Sequence, residues 1–108
     1  MSLGGIEYKK RRKMTRIEQK DNGKKGRFVM YEDDLPVGEM TYVWIDDSKI
    51  IIDHTKIEET HGGKGYGKQL VMAGVEFARK QELKIIPLCP FAKKVFDRDA
   101  GIQDVRFS

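Results

Sequence analysis

Residues 50–81 read IIIDHTKIEETHGGKGYGKQLVMAGVEFARKQ, and the hydrophobic period changes inside this stretch. Ile50-Ile51-Ile52 is a β-branched, apolar run that suits a central strand, continuing through Asp53-His54-Thr55-Lys56 to Ile57. After Gly67, the residues Leu70, Val71, Gly74, Val75 and Ala78 recur at helical spacing, which predicts a helix over 66–81. Between the two lies Gly62-Gly63-Lys64-Gly65-Tyr66-Gly67, four glycines in six residues. Glycines let backbone N–H groups converge without side-chain obstruction, and the following helix turns its positive end toward them. The loop therefore suits a pyrophosphate, with Lys64 and Lys68 adding charge beside it.

Upstream, the pattern has the period of two that strands need. A short strand begins at Ile17 and ends at Asp21-Asn22-Gly23, a hairpin signal. Arg27 to Glu32 is the return strand, with Phe28 and Met30 on one face. Asp33-Asp34-Leu35-Pro36 reads as a turn. Val37 to Ile45 alternates, with Gly38, Met40, Tyr42 and Trp44 opposed to an odd-numbered set that is also partly apolar, so both faces are expected to be covered. Asp46 to Lys49 is the next turn. On strand alternation Asp53 faces away from His54. Downstream of the helix, Ile85 to Cys89 is a short buried strand stopped by Pro90, and Phe91 to Asp97 a second helix. Residues 99–108 show little pattern. The expected fold class is α+β: a four-stranded antiparallel meander, a helix, a strand parallel to the fourth, and a final helix.

A chain of 108 residues allows one domain, here expected over 14–108, behind a leader and basic segment at 1–13. With 39% hydrophobic and 35% charged residues the chain is globular, and no apolar run is long enough to span a membrane. Cys89 is the sole cysteine and there are two histidines, so neither an internal disulfide nor a zinc module is expected, and no metal. With no secretory leader pattern, the expected compartment is the cytoplasm. Residues 1–26 carry nine Lys/Arg against three Asp/Glu; the remainder carries twelve against fourteen. The positive charge thus sits in the run Lys9 to Lys13 and Arg16, read as a solvated tail or edge strand rather than a nucleic-acid site. The acidic pairs Asp33-Asp34, Asp46-Asp47 and Glu58-Glu59 read as turn chemistry, and His61 as a solvated loop residue.

Three phosphate loops compete for the glycines. The dinucleotide pattern G-x-G-x-x-G fails, because the glycines at 63, 65 and 67 alternate. Gly62, Gly67 and Lys68 fit a Walker A pattern, but Gln69 has no hydroxyl for magnesium. The third is the acyl-CoA loop [QR]-x-x-G-x-[GA] of the GNAT N-acetyltransferases. Taken together, the strand ending His54-Thr55-Lys56-Ile57, the run Gly63-Lys64-Gly65-Tyr66-Gly67 and the segment Pro87-Leu88-Cys89-Pro90-Phe91 resemble small single-domain GNAT-like acetyltransferases, over about Ile17 to Arg98. The chain departs from the superfamily pattern in three places. Gly62 stands where the motif has Gln or Arg, the helices between the first two strands are missing, and the tail at Asp99 to Ile102 lacks the small family's pattern.

The resemblance implies acetyl-CoA as cosubstrate and an amine as acceptor. It implies that the pantetheine arm pairs with Thr55, Lys56 and Ile57, while the pyrophosphate meets Gly62, Gly63, Lys64, Gly65, Tyr66, Gly67 and Lys68. The acetyl group lies near Cys89, where its carbonyl would accept a backbone N–H. Lys93 and its neighbour Lys94, at the start of the last helix, either reach the adenosine 3′-phosphate or are ordinary surface. Cys89 is either a packing residue or a thiolate that takes and passes on the acetyl group. His54 is either a general base or a strand histidine with one satisfied hydrogen bond. Two other functions stay open: a non-catalytic acyl-CoA-binding module, and a small nucleic-acid-associated protein using the basic run. A monomer or weak dimer is expected.

Overall fold

Isoleucines 50 and 52 are fully buried, and the sheet is built around the strand that carries them. The computed structural model describes residues 14–107. Strands β1 (Thr15–Asp21), β2 (Lys25–Glu32), β3 (Leu35–Asp46) and β4 (Lys49–Ile57) form an antiparallel meander. Helix α1 (Tyr66–Gln81) then crosses to β5 (Lys84–Pro87), which pairs parallel to β4, and α2 (Pro90–Arg98) follows. The sheet order is β1-β2-β3-β4-β5. The basic run Lys9 to Lys13 lies outside the described residues. Arg16 is described: it pairs with Glu18 and Asp34 and stacks 4.4 Å from the Tyr31 ring centroid.

Helix α1 buries Leu70, Val71, Gly74, Val75 and Ala78 against the sheet. A Cβ on Gly74 would sit 3.0 Å from Met40 Cε and 3.8 Å from Ile52 Cδ1, so this glycine sets how closely the helix lies on β3 and β4. Each large side chain removed from water here contributes about 2 kcal/mol. At its end, Glu82 adopts a left-handed conformation (φ 59°). Its N–H bonds Arg79 O and the Leu83 N–H bonds Ala78 O, a Schellman ending with glutamate in the place glycine usually takes.

The structure corrects several readings. The turn after β2 is only Asp33-Asp34, with Asp33 at φ 53°, and Leu35 and Pro36 already belong to β3. Pro36 is tolerated because the β2–β3 register shifts beside it, leaving Val37 as an extra, fully buried residue. The outer face of β3 is not covered: Val43 and Ile45 are 37% and 48% exposed. Pro90 does not simply stop β5. It occupies the first turn of α2, where its missing N–H has no helical partner to lose. The weakly patterned tail folds as a six-residue 3-10 segment, Ala100–Val105, that buries Ile102 and Val105 and is capped by the Asp99 carboxylate on the Gly101 N–H. Arg79 holds it to α1 through two bonds to Asp104 and one to Gly101 O.

Candidate functional site

Parallel pairing of β4 and β5 ends at Ile52 and Pro87. The N–H groups of Leu88 and Cys89 both turn back onto the Ile52 carbonyl, at 3.0 and 2.9 Å. Beyond that point β4 runs on for five residues without a partner on this side, and a gap opens between Asp53–Ile57 and the start of α2. Neither the Leu88 nor the Cys89 N–H is free to hold a ligand carbonyl.

What lines the gap depends on a bulge. Tyr42 pairs with Ile52 but Thr41 pairs with His54, so Asp53 is an extra residue in β4. The Thr41 hydroxyl donates to Asp53 Oδ1 at 2.6 Å. Asp53 and His54 therefore share the outer face with Thr41, which overturns the reading that neighbours 53 and 54 point opposite ways. Thr55 pairs with Met40 and Ile57 with Gly38, so both take the α1 face. His54 and Lys56 are exposed; Thr55 and Ile57 are half-buried.

Cys89 closes the gap from the far side. It is buried, it precedes the first turn of α2, and its carbonyl accepts the Lys93 N–H at 2.9 Å. Its thiol donates to Thr55 Oγ1 at 3.5 Å. The structure thus brings Cys89 to Thr55, and leaves His54 on the opposite face of the sheet.

The glycines of the loop divide by cause. Gly63 and Gly65 are left-handed, φ 80° and 78°, with open space where a Cβ would be. Gly62 has φ −68°. Gly67 is close-packed, since a Cβ there would meet the Phe91 ring at 2.6 Å. Gly65 is the residue before α1, with no side chain capping the first turn and no acidic residue in it. The first α-helical bond is Gln69 N–H to Gly65 O, so the N–H groups of residues 66–68 precede the helical ladder. That is an uncompensated positive helix end behind a glycine loop. Lys68 is exposed and lines a groove of about 570 Å³ that runs from Gly65 to Ile17 on β1. Lys93 is exposed on α2, its ammonium held 3.1 Å from Asp97.

Three loop side chains converge on a residue the sequence reading passed over. Glu32, at the end of β2, is 4% exposed. Its Oε2 accepts Lys64 Nζ at 3.0 Å and the Tyr66 hydroxyl, and its Oε1 lies 3.2 Å from His61 Nε2. The hydrogen bond to Glu32, then burial, pushes the Tyr66 phenol up. His61 is thus no solvated loop residue: its side chain is 14% exposed and tied to the carboxylate. The alternation that places Phe28 and Met30 inward places Glu32 there too, and a charge at that position was the available signal. Among the described residues, no group of three or more His, Cys, Asp or Glu could hold a metal ion, and no helix is long and apolar enough to cross a membrane.

Solved structures with this fold include acetyltransferases. A GCN5-like protein from Staphylococcus aureus, known from its solution structure, is 37% identical, covers 86% of this chain and 88% of its own, and superposes with a TM-score of 0.68. A ribosomal-protein-alanine N-acetyltransferase from Brucella melitensis biovar Abortus 2308 gives 0.62 at 18% identity, over 73% of this chain and 63% of its own. A GNAT family acetyltransferase from Elizabethkingia anophelis with acetyl-CoA bound gives 0.58 at 13% identity, over 66% and 62%. At such identities the last two show the fold alone. No curated protein matches the chain. The model of the GCN5-related N-acetyltransferase family matches residues 27–105, so the chain belongs to that family.

Proposed function

We propose that the chain is an acetyl-CoA-dependent N-acetyltransferase that acts on an amine. The observation that carries this reading is the gap beyond Ile52 and Pro87, lined by Thr55 and Cys89 and continuous in sequence with a glycine loop that opens an uncapped helix. The fit to acetyl-CoA is one of donors. The open side of Thr55, Lys56 and Ile57 offers backbone to an extended pantetheine arm. Residues Gly63 to Gly67 offer backbone N–H groups to a pyrophosphate, while the Gly62 N–H is held by Glu59 O, and Lys68 and Lys93 offer charge to the remaining phosphates. The Elizabethkingia neighbour holds acetyl-CoA on the same fold.

When bound, acetyl-CoA supplies the acetyl thioester. The chain's contribution is mainly positioning, which alone is worth several orders of magnitude in rate when reactants are held in line. His54, on the outer face at the level of the gap, would take the proton of an amine arriving from that face. Cys89 packs the opposite wall, its thiol turned to Thr55.

The test is release of CoA from acetyl-CoA, followed with and without a panel of primary amines. Amine-dependent release supports the transferase. Tight acetyl-CoA binding with no amine-dependent release across the panel would leave an acyl-CoA-binding module instead.

A further inference from the structure

Glu32 is the one charged side chain buried among the described residues, and the contacts at His61, Lys64 and Tyr66 all come from the glycine loop. A buried carboxylate is strongly unfavourable without such partners. The three contacts bracket the loop: residue 61 precedes Gly62 and Gly63, residue 64 lies between the two left-handed glycines, and residue 66 opens α1. Four glycines in six residues give the segment little stiffness of its own. Its shape is held from outside, by one anion on β2. That anion stands 23 residues or more away in sequence from every residue proposed to touch the pantetheine arm or the loop.

We propose that Glu32 is the positioning residue of this loop. It fixes His61, Lys64 and Tyr66, so that the backbone from Gly62 to Gly67 is already in the conformation that receives a pyrophosphate. It does so by gripping side chains, and leaves Gly63 and Gly65 exposed. This role rests on the acyl-CoA reading above. It makes Lys64 a structural cation first, neutralised by Glu32, rather than a charge free to reach the phosphates.

The role predicts where affinity is lost. Without the anchor, binding must order the loop, and fixing the backbone of even one extra residue weakens binding about tenfold. That loss falls on ligands that carry the pyrophosphate and spares the pantetheine arm, which meets β4. The experiment titrates the full chain with CoA by calorimetry and with pantetheine, which lacks the pyrophosphate, by ligand-observed NMR. In Glu32→Gln, CoA affinity should fall about tenfold while pantetheine affinity is unchanged. CoA affinity that is unchanged overturns the proposal. Tighter CoA binding also overturns it, since Lys64 would then have been withheld by Glu32. So does an equal loss for both ligands, which would make Glu32 a general packing residue. Should Glu32→Gln not fold, Tyr66→Phe keeps the carboxylate and removes one tie. It should weaken CoA several-fold and leave pantetheine alone, and equal CoA affinity there overturns the role. Wild-type chain that binds neither ligand overturns the acyl-CoA reading itself, and this role with it.

Discussion

The sulfur of Cys89 lies 3.5 Å from the hydroxyl oxygen of Thr55, across the point where β4 and β5 have stopped pairing. The side chain has a fixed direction, because Pro87 and Pro90 constrain the backbone on both sides. Among the described residues its thiol hydrogen-bonds only a neutral hydroxyl, with His54 on the other face of the sheet. We therefore expect no covalent acetyl-enzyme. Incubation with acetyl-CoA alone, an acid quench and intact mass measurement should show no added acetyl group, and Cys89→Ala should keep most of its turnover. An adduct that vanishes in Cys89→Ala would establish the thiolate route, in which the sulfur displaces CoA thiol from the acetyl group.

The glycines should separate in substitution. Gly65→Ala and Gly63→Ala force an L-residue into left-handed backbone, at about 1–2 kcal/mol each. Gly67→Ala should cost more than its chemistry suggests, because the Phe91 ring must move. Gly62→Ala should be nearly neutral, since φ there is −68° and the nearest atom to its Cβ is at 3.5 Å. Urea unfolding of the four variants checks the order, and a Gly62→Ala that is as damaging as Gly65→Ala would refute it.

A second cluster predicts pH dependence. Tyr42 donates to Asp21 at 2.5 Å and accepts from Gln19 at 2.7 Å, and the Trp44 indole donates to Asp21 at 2.9 Å. Burial, and then the bond to Asp21, push the Tyr42 phenol up. An unfolded phenol ionises near pH 10, so its contribution is whole below about pH 10 and is lost as pH rises beyond it. Burial raises the Asp21 carboxyl, but the bonds from Tyr42, the Gly23 N–H and Trp44 outweigh that and hold it low. Its contribution is present above about pH 4 and is lost as pH falls below that. Tyr42→Phe should cost about 1 kcal/mol at neutral pH and flatten the alkaline loss; unfolding curves at pH 7 and pH 10.5 decide.

His54→Gln should lower amine-dependent turnover about a hundredfold and leave acetyl-CoA affinity unchanged. The side chain is exposed, so the melting temperature should stay within a degree or two. Unaltered turnover would show that the amine loses its proton elsewhere.

Glu82→Gly should stabilise. The left-handed backbone at the end of α1 penalises any residue with a Cβ, and glycine recovers roughly 0.5–1 kcal/mol net of its own entropy. For a chain of this size that is a few degrees in melting temperature. A lower melting temperature would mean that the glutamate side chain, not the backbone, sets the cap.

The elements were legible where one chain segment suffices to specify them. The β-branched run at Ile50, the helical spacing of Leu70 to Ala78 and the glycines between them each carry their own signal, and helix α1 has the bounds its periodicity predicts. What was hidden depends on two segments at once. The extra residue at Asp53 exists only relative to β3, and no local pattern in β4 announces it. The Glu32 cluster joins residues 29 to 34 positions apart. Its acid was visible as a charge at an inward position, but its partners were not. The tail misled because a 3-10 segment buries only two residues in six.

The bulge in β4 makes that strand two half-strands spliced out of phase. Up to Ile52 the even-numbered residues point inward; from Thr55 the odd-numbered ones do. An unbroken strand with the inward set of its first half would carry His54 and Lys56 into the interior and turn Thr55 and Ile57 out to water. The half that holds the core and the half that borders the gap thus obey separate rules of parity. The splice also works as a lock: sliding β4 by one position would bury Lys56, so the strand has one register in which both halves are satisfied.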